Sequence, residues 1–312
     1  MGTLNGWSKK SSLLAFLDEV YAPRRQLAPR TVVSYQVSLR FFARFLGYQP
    51  TLADLTEEQL QAFIASLLMR KSPVTAWTER KGLLALANYA HRRGLIRCSP
   101  EVEQVKIGRR VPTAYSVVEM GRLMAGAQTM PGDVGVGVRR IPAAHYWPAL
   151  FICAYDTGAR AGALLALEWA DFDPSTPSLL FRAEHAKTRV DQLLRISGEA
   201  AAALETIREP PRPRIFGGIY AKRAFYSRLR RVFVAAGLPS GRRDLLQRIR
   251  RTTATLMHRY GADATAQLGH SSDSMTRDHY LDPTAELQAV DVLPRPVCDK
   301  ALSGCSTAVD PF

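Results

Sequence analysis

The chain has 312 residues, of which 46% are hydrophobic and 22% charged, as in globular proteins that bury a core. This length favours two domains over one. No stretch resembles a signal peptide or is long enough to span a bilayer, so we expect a cytoplasmic protein without a membrane partner. The four cysteines lack the spacing of metal ligands and favour free thiols over a disulfide framework.

The net charge of +14 is unevenly distributed along the chain. Residues 208–259 hold 14 Arg or Lys and two acids, and residues 1–100 hold 14 basic and six acidic residues. Basic side chains that neutralise phosphates release condensed counterions, so two basic blocks favour a nucleic-acid partner. A solvated basic surface or an arginine-rich genome would give the same balance, and charge alone indicates no chemistry.

The first part of the chain predicts a compact helical domain at about residues 10–100. An amphipathic stretch follows Pro29 and ends at Gly47, and Thr56 begins a capping-box pattern ahead of a second apolar periodicity. Ser72, followed by proline, is a typical start for a third helix. Short turns between such helices are typical of a small bundle.

Residues 101–114 combine proline, glycine and basic side chains and predict a linker. A capping box at Ser116–Glu119 then begins a second domain, predicted at 115–294, and residues 295–312 are expected to form a tail. Strand-like composition at Leu179–Ala183 and Gln192–Ile196 predicts a β-hairpin. Helices are predicted within Pro142–Ala170 and at about Glu199–Ile207, Ala221–Ala236 and Leu245–Tyr260. The expected fold class is therefore mainly α with a small β-sheet (α+β).

Four motifs follow one another in the second domain, and a tyrosine lies ten residues beyond the histidine of the last. Each motif alone is weak, but their order and spacing together are specific. They are Thr157-Gly158-Ala159-Arg160, Lys187-Thr188-Arg189 in the hairpin turn, Arg250-Arg251-Thr252-Thr253-Ala254-Thr255 at a helix start, and Leu268-Gly269-His270-Ser271-Ser272, followed by Tyr280.

In these motifs the chain resembles the tyrosine recombinase, or phage integrase, family, from about Tyr115 to Pro294. The resemblance implies a helical core-binding domain and a tyrosine recombinase catalytic domain that form a C-shaped clamp on double-stranded DNA. It also implies a nucleophile that forms a 3′-phosphotyrosyl link. The catalytic residues that it implies are Arg160, Lys187, Gln247, Arg250, His270 and the nucleophile Tyr280.

The chemistry of phosphodiester attack is consistent with these residue types. Negative charge builds on the non-bridging oxygens, and the guanidiniums of Arg160 and Arg250 can hold them bidentately. A phenol with an ordinary pKa near 10 needs positive charge and a proton acceptor or hydrogen-bond partner, for which His270 is the candidate. Lys187, on the hairpin turn, is the candidate general acid for the departing 5′ oxygen. This scheme requires no metal and no cofactor.

Two positions depart from the family pattern. Gln247 stands where the family usually has histidine, and glutamine can hydrogen-bond a phosphate oxygen but cannot carry a proton at neutral pH. Ala163 stands where the family often has a glutamate, so Arg160 loses an orienting acid. We interpret Gln247 as a phosphate-contacting substitute and expect activity, with a slower cleavage step as one consequence.

The resemblance further implies strand exchange through a Holliday junction, in a homotetramer on a specific target site. The short N-terminal part favours a simple recombinase of a mobile element or of the dimer-resolving type, nucleoid-associated and with or without accessory proteins. Residues 297–312 are a candidate for exchange between protomers. The basic residues expected to contact DNA are Lys222, Arg223, Arg242, Arg243, Arg248 and Arg251.

Two alternatives remain open on the sequence. A type IB topoisomerase-like enzyme would relax supercoils with the same residues and need neither a specific site nor a tetramer. A weakened family member would bind DNA without cutting it, although both arginines, the lysine, the histidine and the tyrosine are all present. A metal-dependent nuclease is a distant third, because His279 and His270 have no third ligand nearby in the sequence. The target sequence and the direction of recombination do not follow from the residues.

Overall fold

The structure is a computed structural model that describes residues 6–108, 110–135, 140–186, 189–209 and 212–283. The chain divides into two compact units, Met1–Arg109 and Arg110–Phe312. The predicted domain limits of 10–100 and 115–294 remain proposals, and the predicted tail at 295–312 lies outside the described residues. Within the described residues, no helix combines the length and the apolar character needed to cross a membrane.

The regular elements of the first unit are all helical within its described residues. Its helices pack their apolar faces on a core that includes Phe16, Phe42, Phe63 and Leu86, all of which are fully buried. Its elements are α1 (Leu13–Ala15), a π-helical segment (Phe16–Tyr21), α2 (Ala22–Arg24), α3 (Pro29–Leu46), a 3₁₀ turn (Leu52–Asp54), α4 (Glu57–Arg70) and α5 (Pro73–Arg92).

The helix ends of this unit follow from local sequence signals. The Thr56 hydroxyl accepts the amide of Gln59, and the Ser72 hydroxyl accepts that of Thr75, so both predicted starts are occupied by capping side chains. Gly47 ends α3 with a φ of +83°, a conformation that costs glycine little. The helical stretch from Leu13 to Arg24 was missed, although its buried residues recur at helical spacing.

The second unit is mixed, with helices around two small antiparallel sheets, and the predicted class, mainly α with a small β-sheet, is confirmed. Its helices are α6 (Val117–Gln128), α7 (Ala143–Thr157), α8 (Ala161–Leu164), α9 (Gly198–Thr206), α10 (Lys222–Ala235), α11 (Leu246–Arg259), α12 (Ala264–Gln267) and α13 (Asp273–His279). Its strands are β1 (Asp133–Val134), β2 (Ile141–Pro142), β3 (Phe172–Asp173), β4 (Ser178–Phe181) and β5 (Gln192–Arg195). One 3₁₀ turn, Trp169–Asp171, precedes β3, and another, Ala183–His185, follows β4.

Helix α7 lies at the centre of this unit and is buried on nearly every side, as expected for a helix that is apolar all round. It packs against α6, α9 and α11. The helix ends at Thr157 because Gly158 adopts a φ of +60°, so the predicted helical region Pro142–Ala170 is only partly helical. This ending places the first motif directly beside α11.

The predicted hairpin is present as β4 and β5, which pair in antiparallel register with Leu179 opposite Leu194. A third short strand, Phe172–Asp173, pairs with β4 and was not predicted. Two-residue strands carry too little alternation to be recognised in a sequence. The hairpin lies against α12, because the Gln192 side chain donates to the carbonyls of Ala266 and Gln267.

Candidate active site

Arg250 lies at the centre of the candidate site, on the first turns of α11, and is buried with 2% of its surface exposed. Its guanidinium donates to the Gly158 carbonyl at 2.6 Å and to the Leu268 carbonyl at 2.9 Å. It therefore joins the first, third and fourth sequence motifs. Burial and the nearby Arg160 lower the pKa of Arg250 to about 10, so the group remains a cation at neutral pH.

His270 is held between Arg250 and Thr276. Its Nε2 lies 2.8 Å from Nη2 of Arg250, and its Nδ1 lies 2.8 Å from Oγ1 of Thr276. Because a guanidinium can only donate, Nε2 must accept and Nδ1 must carry the proton that is donated to Thr276. Burial, reinforced by Arg250 and Arg160, lowers the pKa of His270 to about 4, so the imidazole is neutral at physiological pH.

This tautomer bears on the predicted role of His270. The lone pair of Nε2 is occupied by Arg250 and is not open to a phenol proton. The geometry therefore assigns His270 to the orientation of Arg250 rather than to proton removal. Thr276, which also accepts a hydrogen bond from Thr265 at 3.0 Å, was missed by sequence reasoning. Only its position six residues after the histidine could have suggested it.

Tyr280 is half-buried, with its ring 4.4 Å from that of His270 between centroids. The Cζ atom of Arg250 lies 5.1 Å from the centroid of the same ring. Burial acts to raise the pKa of Tyr280, but Arg250, a hydrogen bond from Gln247 and the charge of Arg160 outweigh it. The net effect is a phenol pKa below the ordinary value of 10, which favours the nucleophilic form.

Gln247 and Arg160 complete the surroundings of the phenol. Gln247 precedes Arg250 by about one helical turn on α11, and its side chain is close enough to the Tyr280 hydroxyl to lower the pKa of the phenol. Arg160 is half-buried at the start of α8, near enough to lower the pKa values of Arg250, His270 and Tyr280. Among the described residues, no acceptor is hydrogen-bonded to its guanidinium, which remains available to an anion.

Lys187 and its neighbour Thr188 lie outside the described residues, so the position of the predicted general acid is not described. The hairpin that carries them is tied to the site by Gln192 at the start of β5. Its amide donates to the carbonyls of Ala266 and Gln267, each at 2.8 Å, directly before the Leu-Gly-His motif. Gln192 was also missed by sequence reasoning, because nothing in the strand pattern marks it.

The six predicted DNA contacts fall into two groups. Arg251 is buried and donates to the carbonyls of Arg243 and Gln247, and Arg248 donates to the Ala114 carbonyl at 2.8 Å while stacking on Tyr115. The guanidiniums of Arg248 and Arg251 are bonded to backbone carbonyls around α11, so they are less available to DNA phosphates than exposed side chains. The remaining four side chains are exposed, and they are Lys222, Arg223, Arg242 and Arg243.

The charged groups that shift the pKa of Tyr280 are Arg250 and Arg160, and no carboxylate is among them. Within the described residues, no group of three or more His, Cys, Asp or Glu side chains is arranged to hold a metal ion. His279 is close enough to lower the pKa of His270 but forms no such group with it. The site is thus a concentration of positive charge and hydrogen-bond donors around one phenol, suited to a phosphate group.

No protein-family model matches the chain. A curated relative, tyrosine recombinase XerC of Agrobacterium fabrum (strain C58 / ATCC 33970), is 27% identical over 302 residues, covering 90% of this chain and 91% of the relative. The structure is similar to that of a lambda integrase tetramer bound to a Holliday junction, with a TM-score of 0.70 and 19% identity over 90% of this chain and 80% of that one. It is also similar to XerH bound to its difH substrate before cleavage, with a TM-score of 0.61 and 18% identity over 88% of this chain and 84% of that one.

The two solved structures bear on the fold, and the curated relative bears on the sequence over almost its whole length. The four motifs occur in the family's order, and three of them meet at Arg250. In its sequence and in its fold the chain is therefore similar to tyrosine recombinases.

Proposed function

We propose that this protein is a site-specific DNA recombinase that uses Tyr280 as its nucleophile. The phenolic oxygen attacks a phosphodiester, the bond from phosphorus to the 5′ oxygen breaks, and a 3′-phosphotyrosyl link forms. The 5′ hydroxyl of a partner strand then attacks that link, restores a phosphodiester and returns the phenol. The number of phosphoester bonds is unchanged, so the exchange needs no external energy source.

The observation that carries this proposal is the convergence of two guanidiniums, one amide and one imidazole on a single phenol. Attack at phosphorus places negative charge on the non-bridging oxygens, which Arg160 and Arg250 are suited to stabilise. Removing one such preorganised donor typically slows a reaction by about 10²–10³-fold. A tyrosine that merely packed in a core would not need a pKa below its ordinary value.

Each residue then has a distinct role in the proposal. Arg250 is held by backbone carbonyls and by His270, so it is preorganised before DNA arrives. Gln247 donates to the phenolic oxygen and stabilises the phenolate, and the phenol proton passes to water because glutamine cannot accept it. Lys187 protonates the departing 5′ oxygen as general acid.

We further propose that a homotetramer carries out the exchange through a Holliday junction at a specific target site. The lambda integrase to which the fold is similar forms a tetramer on such a junction, and XerH was captured on a substrate site. In this scheme the helical domain at 10–100 and the catalytic domain at 115–294 bind double-stranded DNA together. Accessory proteins and association with the nucleoid belong to the same proposal.

The test is capture of the covalent intermediate. Purified protein is incubated with fragmented DNA from its source, nicked to trap the intermediate, without divalent metal, and quenched in SDS. Adducts are purified and sequenced for the wild type, for Tyr280→Phe and for the control Tyr260→Phe. Tyr260 suits the control because it is 79% exposed at the end of α11 and outside the site.

Adducts that map to one repeated motif, persist in Tyr260→Phe and vanish in Tyr280→Phe are the expected result. Adducts scattered over unrelated sequences, together with supercoil relaxation, would instead indicate a relaxing enzyme. DNA binding without adducts in any variant would indicate a weakened family member that occupies DNA without cutting it.

A further inference from the structure

The chain immediately after the nucleophile is attached to a distant part of the same unit. Asp282 is buried, with 7% of its surface exposed, and its Oδ2 accepts the backbone amide of Ala114 at 2.7 Å. Its own amide donates to the Thr255 hydroxyl at 3.0 Å, and that hydroxyl lies 3.3 Å from the Tyr280 carbonyl. The backbone is therefore held in place at Tyr280 and two residues after it.

The other end of this attachment is itself fixed to α11. Arg248 donates to the Ala114 carbonyl through Nε and Nη2, at 3.1 and 2.8 Å. The Tyr115 amide donates to the Thr252 hydroxyl at 2.7 Å, and the Tyr115 ring lies under the Arg248 guanidinium. Ala114 is thus a fixed point relative to the helix that presents Gln247 and Arg250.

Ahead of the phenol, the attachments of α13 include the Asp273 carboxylate, which accepts from the Thr265 hydroxyl at 3.1 Å. Helix α13 has only one buried residue, Thr276, which contacts His270 and Thr265, while its other side chains are exposed. The phenol therefore lies between attachments on both sides, among them Thr276 before it and Asp282 after it. Of the two, Asp282 is the residue whose side-chain oxygen accepts a backbone amide from a segment outside α13.

We propose that Asp282 is a positioning residue that holds Tyr280 against Arg250 and Gln247 of its own chain. This inference rests on the proposed function, in which Tyr280 is the nucleophile. Loss of the carboxylate removes the attachment to Ala114 while the two hydrogen bonds of Thr255 remain, so the chain behind the phenol is held less firmly and the hydroxyl shifts away from the donors that lower its pKa. Misplacement of a reacting group by about 1 Å costs on the order of 100-fold in rate.

The experiment compares Asp282→Ala, Asp282→Asn and Tyr146→Phe with the wild type. Asparagine keeps an oxygen that can accept the Ala114 amide, so it is the conservative rescue. Tyr146→Phe is the matched control, because it removes a buried 2.7 Å hydrogen bond to the Phe216 carbonyl away from the phenol. Each variant is measured for single-turnover cleavage of nicked DNA, for DNA affinity and for thermal unfolding.

A second readout does not depend on cleavage. Tyrosine labelled with ¹³C at Cζ is followed by NMR while the DNA-free protein is titrated with base, and Tyr280→Phe assigns the signal. Asp282→Ala is expected to move the Tyr280 pKa up toward its ordinary value near 10, whereas Asp282→Asn and Tyr146→Phe leave it low. In the kinetic assay, Asp282→Ala is expected to cleave about 10- to 100-fold more slowly at unchanged DNA affinity.

Two results would overturn the inference. One is a Tyr280 pKa that is the same in Asp282→Ala as in the wild type. The other is a rate loss in Asp282→Ala no greater than in Tyr146→Phe at a similar loss of thermal stability, because that pattern would mean general packing only. Failure of the wild type to form adducts would instead count against the proposed function, and the titration would still decide the role of Asp282.

Discussion

At the scale of single residues, the pH dependence of cleavage depends on which groups near Tyr280 can gain or lose a proton. The phenolate of Tyr280 is the reactive form, its pKa lies below 10, and so the cleavage rate should rise with pH toward that pKa. His270 has a pKa of about 4 and stays neutral from pH 5 upward, so it adds no step near pH 6 to 7. Gln247 adds none, since an amide does not titrate.

We therefore predict that Gln247→His changes the pH dependence of cleavage. Beside Arg160 and Arg250 a histidine should have a pKa below its ordinary value of about 6.5, so it is neutral and accepts the phenol proton throughout the neutral range, where the rate should no longer rise with pH. General-base assistance is worth about 10²–10⁴-fold when well placed, and we expect at least about a tenfold gain at pH 7. The measurement is single-turnover cleavage from pH 5 to 9.

Gln247→Leu is the control for this prediction, because it removes the donor without adding a base and should slow cleavage at every pH. A wild-type profile with a step near pH 6.5 that disappears in His270→Gln would contradict the argument. Such a step would mean that Arg250 leaves Nε2 of His270 when DNA binds.

At the scale of elements, the close approach of α7 to the loop before His270 depends on one glycine. Gly158 has a φ of +60°, and a Cβ there would lie 2.6 Å from Cδ2 of Leu268. The Gly158 and Leu268 carbonyls both accept from Arg250, so any displacement here moves the guanidinium. The end of α7 thus contributes to the site through its backbone.

Gly158→Ala is predicted to destabilise the protein by about 2–4 kcal/mol, from the left-handed backbone and from the clash with Leu268. It should also slow cleavage by displacing Arg250. Gly261→Ala is the matched control, because Gly261 has a φ of +74° with nothing within 4 Å of its would-be Cβ. That variant should lose only about 1–2 kcal/mol of stability and keep its cleavage rate.

Urea unfolding measures the loss of stability of the two glycine variants, and adduct formation measures their cleavage. Equal losses in both variants would show that the clash with Leu268 is unimportant.

At the scale of the whole molecule, the net charge of +14 is expected to act through exposed side chains. Arg248 and Arg251 are engaged with backbone carbonyls, whereas Arg242 and Arg243 are exposed beside the start of α11. Electrostatic binding to DNA weakens with salt in proportion to the number of phosphates neutralised. The exposed pair should therefore contribute to this dependence more than the engaged pair.

We predict that Arg242→Ala combined with Arg243→Ala weakens DNA binding alike on all sequences. The slope of log K against log salt should become shallower by up to about 1.8, since each phosphate that is no longer neutralised reduces it by about 0.9. Arg122→Ala, an exposed arginine on α6 outside the predicted DNA-binding residues, is the control and should leave the slope near its wild-type value. Titration of labelled DNA at several salt concentrations measures the slope, and an unchanged slope in the double variant would remove these residues from the interface.

The sequence alone determined most of the helices and the set of candidate site residues. The order of the motifs along the chain can be read without coordinates, so Arg160, Arg250, His270 and Tyr280 could be proposed from it. Capping side chains act within one turn, which is why the helices that begin after Thr56, Ser72 and Ser116 were predictable. Short elements such as β1, β2 and β3 carried too little local pattern to be seen.

The tertiary structure decided what each of these residues contacts. Arg250 and Arg251 are adjacent in sequence, but successive side chains on a helix point about 100° apart, so one enters the site and the other bonds the Arg243 carbonyl. The tautomer of His270 depends on Arg250, twenty positions away. The bond from Ala114 to Asp282 spans 168 positions, and no local pattern can encode it, because its partners meet only when the whole unit folds.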